Sequence, residues 1–188
     1  MEIRLSQKDL DDARLMLLGI DKGFPKAFSR ALNKAVEGTR TDMVALVRKD
    51  YNYKAAAVRK RISLQKATYA VLNAAVRSSG GEVHLTDIAG TRQTKKGVSV
   101  NVKKSTGRKL IPRAFIRPGR RSKKQIVFRR RMVGGKMVGR TPIDARYTSH
   151  PEQIYNTPEN WAQLEKAAVI RLNKNFAHEV DAILKGFS

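Results

Sequence analysis

Apolar residues recur every third or fourth position at both ends of this chain and every second position through its middle. The first pattern fits amphipathic helices and the second fits half-buried strands. Leu10, Ala13, Leu17 and Ile20 mark a first helix, with Ser6 as its cap and Asp9, Asp11 and Asp12 near its positive end. Gly19 and Gly23-Phe24-Pro25 then punctuate the chain. A long second helix is predicted over 25–50, carried by Phe28, Ala31, Leu32, Ala35, Val36, Thr39, Met43, Leu46 and Val47, with Pro25 in its first turn. A short basic helix is expected over 54–62. At the far end, Thr157-Pro158-Glu159 is a start signal for a helix over 158–185. Its stripe runs Trp161, Leu164, Ala168, Leu172, Phe176, Val180, Ile183 and Phe187.

Between these helices the period falls to two. Strands are expected over 68–76, 83–88, 98–102, 110–116 and 125–131, with Gly134-Gly135 turning the chain before 136–139. Basic, glycine-bearing loops are expected over 92–97, 103–109 and 117–124. Helices, then strands, then a helix predict an α+β fold: long N-terminal helices and a C-terminal helix packed on a mostly antiparallel sheet with basic loops. A chain of 188 residues fits one domain, 1–188.

Charge changes this picture most. The net charge is +23. The region 48–140 holds 26 Lys and Arg against Asp50, Glu82 and Asp87, while the two flanks together hold 13 basic and 13 acidic residues. A cationic insert inside a neutral frame points to a polyanionic partner and strong salt dependence. The densest candidates are Arg120, Arg121, Lys123 and Lys124, and the run Arg129, Arg130, Arg131. Arg129 and Arg131 should share one face of a strand, opposite Arg130. At least one of those faces must be solvated or paired, because an unpaired buried Arg is costly. The aromatics of this region, Tyr51, Tyr53, Tyr69, Phe115 and Phe128, show no spacing suited to stacking bases. The sequence thus favours backbone contact with nucleic acid, without sequence readout.

Other chemistry is not signalled. His84, His150 and His178 are far apart, and no nucleotide loop or nucleophile elbow is present. No catalytic, cofactor or metal residues are assigned, and a non-enzyme is expected. A small nuclease built on Asp50, Glu82 and Asp87 is the weakest of the readings that the composition permits, behind a general architectural nucleic-acid-binding protein. There is no cysteine, no apolar run long enough for a bilayer, and no signal-peptide pattern at the start.

Several patches together resemble one family. They are Arg30-Ala31, Asn33 and Thr39; Val58-Arg59 and Lys66-Ala67-Thr68; Ile111-Pro112-Arg113-Ala114-Phe115-Ile116; Val127-Phe128-Arg129; and Pro142-Ile143 before Tyr147-Thr148-Ser149. In this order and spacing they resemble the minor tail protein Z family of lambda-type phages and prophages. The stretch Tyr147-Thr148-Ser149-His150-Pro151 differs from the Tyr-Gly-Pro-Ser-like sequence usual there. The resemblance implies a structural, non-enzymatic virion protein at the head-proximal end of a long tail, assembled in the host cytoplasm. It implies tail completion, head–tail joining and contact with the end of the double-stranded DNA genome. It also implies a homo-oligomeric ring of about six copies. The neighbours would be the tail tube or tail terminator protein and the head–tail joining proteins.

Overall fold

The long second helix forms because its alanines recur every fourth residue and give it one flat face. In the computed structural model, which describes residues 7–120, 122–134, 136–137, 139 and 142–186, this helix is α2 (Gly23–Asp50). α1 (Gln7–Met16) precedes it, and α3 (Ala55–Arg59) follows. The chain divides into two compact units. One comprises Met1–Ala45, Arg61–Ser79 and Tyr155–Ser188, and the other Leu46–Lys60 and Gly80–Ile154. α2 contributes its residues up to Ala45 to the first unit and the rest to the second.

The first unit is helical, with one hairpin: β1 (Ile62–Gln65) and β2 (Ala75–Ser78), antiparallel. The second unit holds the remaining strands in chain order. They are β3 (Val83–His84), β4 (Arg92–Thr94), β5 (Gly97–Val100), β6 (Lys109–Pro112), β7 (Ala114–Gly119), β8 (Ser122–Arg130), β9 (Met132–Val133), β10 (Lys136–Met137), β11 (Ile143–Ala145) and β12 (Tyr147–Thr148). α4 (Glu152–Tyr155) and α5 (Pro158–Leu184) complete the chain. The α+β class is as expected, and every described strand pair is antiparallel. The β structure is divided into small sheets of two or three strands, ordered β4-β5-β6 and β11-β8-β7 in the larger two.

In the first unit the stripes of α2 and α5 meet each other. Ala27, Ala31 and Ala35 are fully buried in one cluster with Leu172 and Phe176. Phe28 meets Phe176 edge-on at 5.6 Å and stacks on Phe24 at 5.7 Å. Aromatic pairs of this kind add about 0.5–1.5 kcal/mol beyond their burial. Glu179, buried on α5, is held by Lys34 and Arg30 of α2. About two turns further along α2, Arg171 of α5 pairs with both carboxylate oxygens of Asp42, at 2.7 and 3.2 Å. Its side chain lies over Gly38, where an added Cβ would come within 2.4 Å of Arg171 Cδ.

Several boundaries differ from the sequence expectation. α3 stops at Arg59, and Ile62, expected in that helix, is buried at the start of β1. The run 68–76, expected as a strand, is mostly the connection between β1 and β2. Asn33 grips the backbone of Ala67 from both sides, donating to its carbonyl at 3.0 Å and accepting from its N–H at 2.8 Å. Thr68 then closes a turn with Val71 through its own N–H and its hydroxyl. Such side-chain bonds satisfy backbone groups that a sheet would otherwise use. Likewise 83–88 is two residues of strand followed by a 3-10 turn at Leu85–Asp87.

The clamp of Arg171 over Gly38 sets a stability test. Gly38→Ala gains about 1 kcal/mol of helix propensity but must push Arg171 off Asp42, a half-exposed pair worth about 0–1 kcal/mol. Gly38→Ala should therefore be nearly neutral alone and stabilising by about 1 kcal/mol in an Arg171→Ala background. Urea denaturation of the four proteins in the cycle measures this. Equal effects in both backgrounds would show that Arg171 does not occupy that position in solution.

Candidate polyanion interface

Charge follows the division into units. The second unit holds 24 Lys and Arg against five Asp and Glu, and the first holds 15 against 11. The hairpin β1–β2, which belongs to the basic stretch 48–140, folds with the near-neutral helical unit. The cationic character is thus concentrated in one folding unit, at +19 of the total +23.

The central element of that unit is the hairpin of β7 and β8. The run 110–116, expected as one strand, is broken at Arg113, whose φ is +59°. Its N–H donates to Lys96 O at 3.0 Å. On the facing strand only glycine fits at Gly97, where a Cβ would lie 2.1 Å from Ile111 O. This corner ends β6 in one sheet and starts β7 in the next. β7 then pairs with β8 in the register Ala114↔Arg129, Phe115↔Phe128, Ile116↔Val127 and Arg117↔Ile126. The outer edge of β7 is covered by a side chain: Gln93 accepts from Ile116 N–H at 2.8 Å and its amide nitrogen lies 3.4 Å from Ala114 O. β11 lies on the other side of β8, with Asp144 opposite Arg129 and Ile143 opposite Arg130.

The basic segment expected as a loop over 117–124 is therefore mostly strand. Arg117 lies in β7, Lys123 and Lys124 lie in β8, and Arg120 is exposed at the turn. Arg121 falls outside the described residues. The reason is the long β7–β8 register, which extends pairing to Gly119↔Ser122. Lys123 is exposed. Lys124 is bound to Asp87 at 2.7 Å. At the other end of β8, Arg129 faces the interior beside fully buried Val127, and its Nε is buried with no hydrogen-bond partner among the described residues. Arg130 lies half-buried on the opposite face. Arg131, just past the strand, binds both carboxylate oxygens of Asp144, at 2.9 and 3.3 Å. The sequence pattern puts Arg129 and Arg131 on one strand face, but β8 ends at Arg130 and the carboxylate of Asp144 meets Arg131 beyond it. The seven residues do not form one cluster: Lys123 and Arg130 are seven strand steps apart, roughly 23 Å.

Several features of this site carry no signal along the chain. Lys104 donates to Arg48 O at the end of α2, Lys54 to Thr86 O, and Arg108 to Gly90 O. Phe115 and Phe128, thirteen residues apart in sequence, sit side by side with ring centroids 6.1 Å apart. The histidines stay separate. His84 lies against Tyr147, His150 accepts from Gly81 N–H, and His178 is exposed on α5. Among the described residues no three His, Asp or Glu gather in a way that could hold a metal ion. Asp87 is paired with Lys124.

The family model of prophage minor tail protein Z matches residues 7–187. The chain belongs to that family. It is therefore a structural component of a phage tail, and membership implies a place in the virion. No curated protein and no solved structure matches it closely enough to count. Among the described residues no helix is long and apolar enough to cross a membrane. The patches that carried the resemblance are contact partners in this family member. Asn33 holds Ala67; Ala114, Phe115 and Ile116 pair with Arg129, Phe128 and Val127; Arg131 N–H donates to Pro142 O. Tyr53, almost fully buried, donates through its hydroxyl to Ser149 O at 2.7 Å.

The Arg131 hydrogen bond, with the charges of Arg131 and Arg146 behind it, holds the Asp144 carboxyl below the usual carboxylate range. A depressed carboxylate contributes stability above its unfolded pKa of about 3.9 and loses it as pH falls through the lower folded value. Pairing of β11 should thus persist at pH 5 and loosen only in strong acid. A carbon-13 titration of Asp144 should give a midpoint below that of a free Asp, returning upward in Arg131→Ala. An identical midpoint in the variant would mean the ion pair does not form in solution.

Proposed function

We propose that this minor tail protein sits at the head-proximal end of the tail, completes it and makes it competent to join the head. In this reading the near-neutral helical unit builds a homo-oligomeric ring of about six copies, and the cationic unit serves the polyanion. That polyanion is the end of the double-stranded DNA genome, touched through phosphate without sequence readout. The neighbours are the tail tube or terminator protein and the head–tail joining proteins. Assembly takes place in the host cytoplasm, and the role is structural rather than catalytic. The observation that carries the reading is the confinement of +19 net charges to one of two folding units. Self-repulsion of that size is a standing cost to the isolated protein, and a polyanion removes it.

The test uses the exposed cations of the β7–β8 hairpin that hold no carboxylate. Arg120→Glu with Lys123→Glu should leave the fold intact, because both side chains are exposed. Tails should assemble in normal number, while head joining or DNA retention falls, read as infectivity per particle. Lys124 is left alone because its loss would free Asp87. Normal infectivity in the double variant would overturn the assignment of this hairpin to polyanion contact.

A further inference from the structure

The two faces of the sheet β11-β8-β7 differ in kind. Opposed residues on paired strands share a face, and faces alternate along each strand. Ala114 and Val127 lie on one face and are buried. The other face carries Phe115 beside Phe128, Arg117 beside Ile126 and Arg130 beside Ile143, with Lys124 beyond. None of these side chains is buried, and Ile143 is 38% exposed. Residues two apart on a strand face lie roughly 6.6 Å apart. The two rings are therefore bracketed along the strands by Arg130 at one end and by Arg117 and Lys124 at the other.

A phosphate backbone explains the cations but not the rings. Stacked bases in a duplex present edges in the grooves, so two partly buried phenylalanines gain little from it. A single strand presents both a phosphate chain and free base faces. Two partly exposed rings flanked by Arg on one sheet face match that combination. The net charge of the unit favours a polyanion over any neutral apolar partner.

We propose that this face, centred on Phe115 and Phe128, is a binding site for single-stranded nucleic acid, such as an unpaired stretch at a DNA end. Bases stack on the two rings, while Arg117 and Arg130 meet the phosphates. The site is sequence-tolerant, because every base has a π-face. The proposal rests on the DNA-contact reading above and narrows it to one strand and one sheet face.

Fluorescence anisotropy of the full chain tests it, with labelled oligothymidine and a labelled mixed-sequence duplex of equal charge as probes. Phe115→Leu and Phe128→Leu keep apolar volume but remove the rings, and circular dichroism checks the fold. Each should weaken oligothymidine binding about tenfold and leave duplex binding unchanged. Phe128→Tyr should retain the single-strand affinity. Should the Leu variants match the unmodified chain on oligothymidine, or lose both probes equally, the rings do not stack bases and the proposal falls. Duplex binding unaffected by the rings would still uphold the broader DNA contact. Absence of binding to both probes at low salt, with binding to polyglutamate, would overturn both readings in favour of an acidic protein partner.

Discussion

The second unit must fold against its own charge, and its hydrogen bonds follow from that constraint. With 24 bases and five acids, few of its cations can find a carboxylate. Two acids are committed at strategic places: Asp87 ties Lys124 of β8 to the 3-10 turn before β4, and Asp144 ties Arg131 to β11. Other cations turn to backbone carbonyls instead. Lys104 takes the carbonyl of Arg48 near the C-terminal end of α2, where a positive charge is also favoured by the helix dipole. Lys54 and Arg108 close the loops at Thr86 and Gly90 in the same way. Each bond uses charge to satisfy an orphan acceptor, so positive charge becomes part of what holds the loops. Arg117, Arg120 and Lys123 are exposed.

The first unit shows the opposite balance. Its 15 bases face 11 acids, and three of those acids tie α2 to α5 and to the segment after β1. Glu179 holds Lys34 and Arg30, Asp42 holds Arg171, and Glu37 holds Lys66, whose hydrogen bond keeps the Glu37 carboxyl below its usual range. Half-exposed pairs of this kind add little net stability each. The energy comes from the alanine face of α2 against Leu172 and Phe176, while the pairs fix the register of one helix on the other. A helical frame of this sort tolerates a cationic neighbour because it adds almost none of the field itself.

What could be read from the sequence was what depends on local period. The bounds of α2 and α5 followed from apolar spacing and from Pro25 and Pro158, and the α+β class followed from the change of period. What could not be read depends on contacts distant in sequence. The segment 68–76 looks like a strand by composition, yet Asn33 takes the backbone groups of Ala67 just before it, and Thr68 closes a turn on Val71. The segment 110–116 looks like one strand, yet the close approach of Gly97 to Ile111 and the bond from Arg113 to Lys96 turn it into two. The basic segment 117–124 reads as a loop because Arg and Lys crowd around Pro118 and Gly119, but the long register with β8 makes it a hairpin. The same register puts Phe115 and Phe128 together. Spacing along the chain could not show that pair, since it is created by strand pairing alone.

These facts bear on how charge can be used by an assembly. Cations bonded to carbonyls or to Asp87 and Asp144 are held in place, so part of the field is organised before any partner arrives. Pre-organised charge loses less side-chain entropy on binding than free lysine does. Counterion release still makes the contact fall steeply with salt, by close to one power of salt concentration per phosphate neutralised. A single copy with a few exposed cations would therefore hold a polyanion weakly at cellular ionic strength. Several copies around one polyanion multiply the phosphates engaged, and linked contacts raise the effective affinity far beyond that of one site. The division of charge between a near-neutral unit and a cationic one concentrates the groups that such contacts would use.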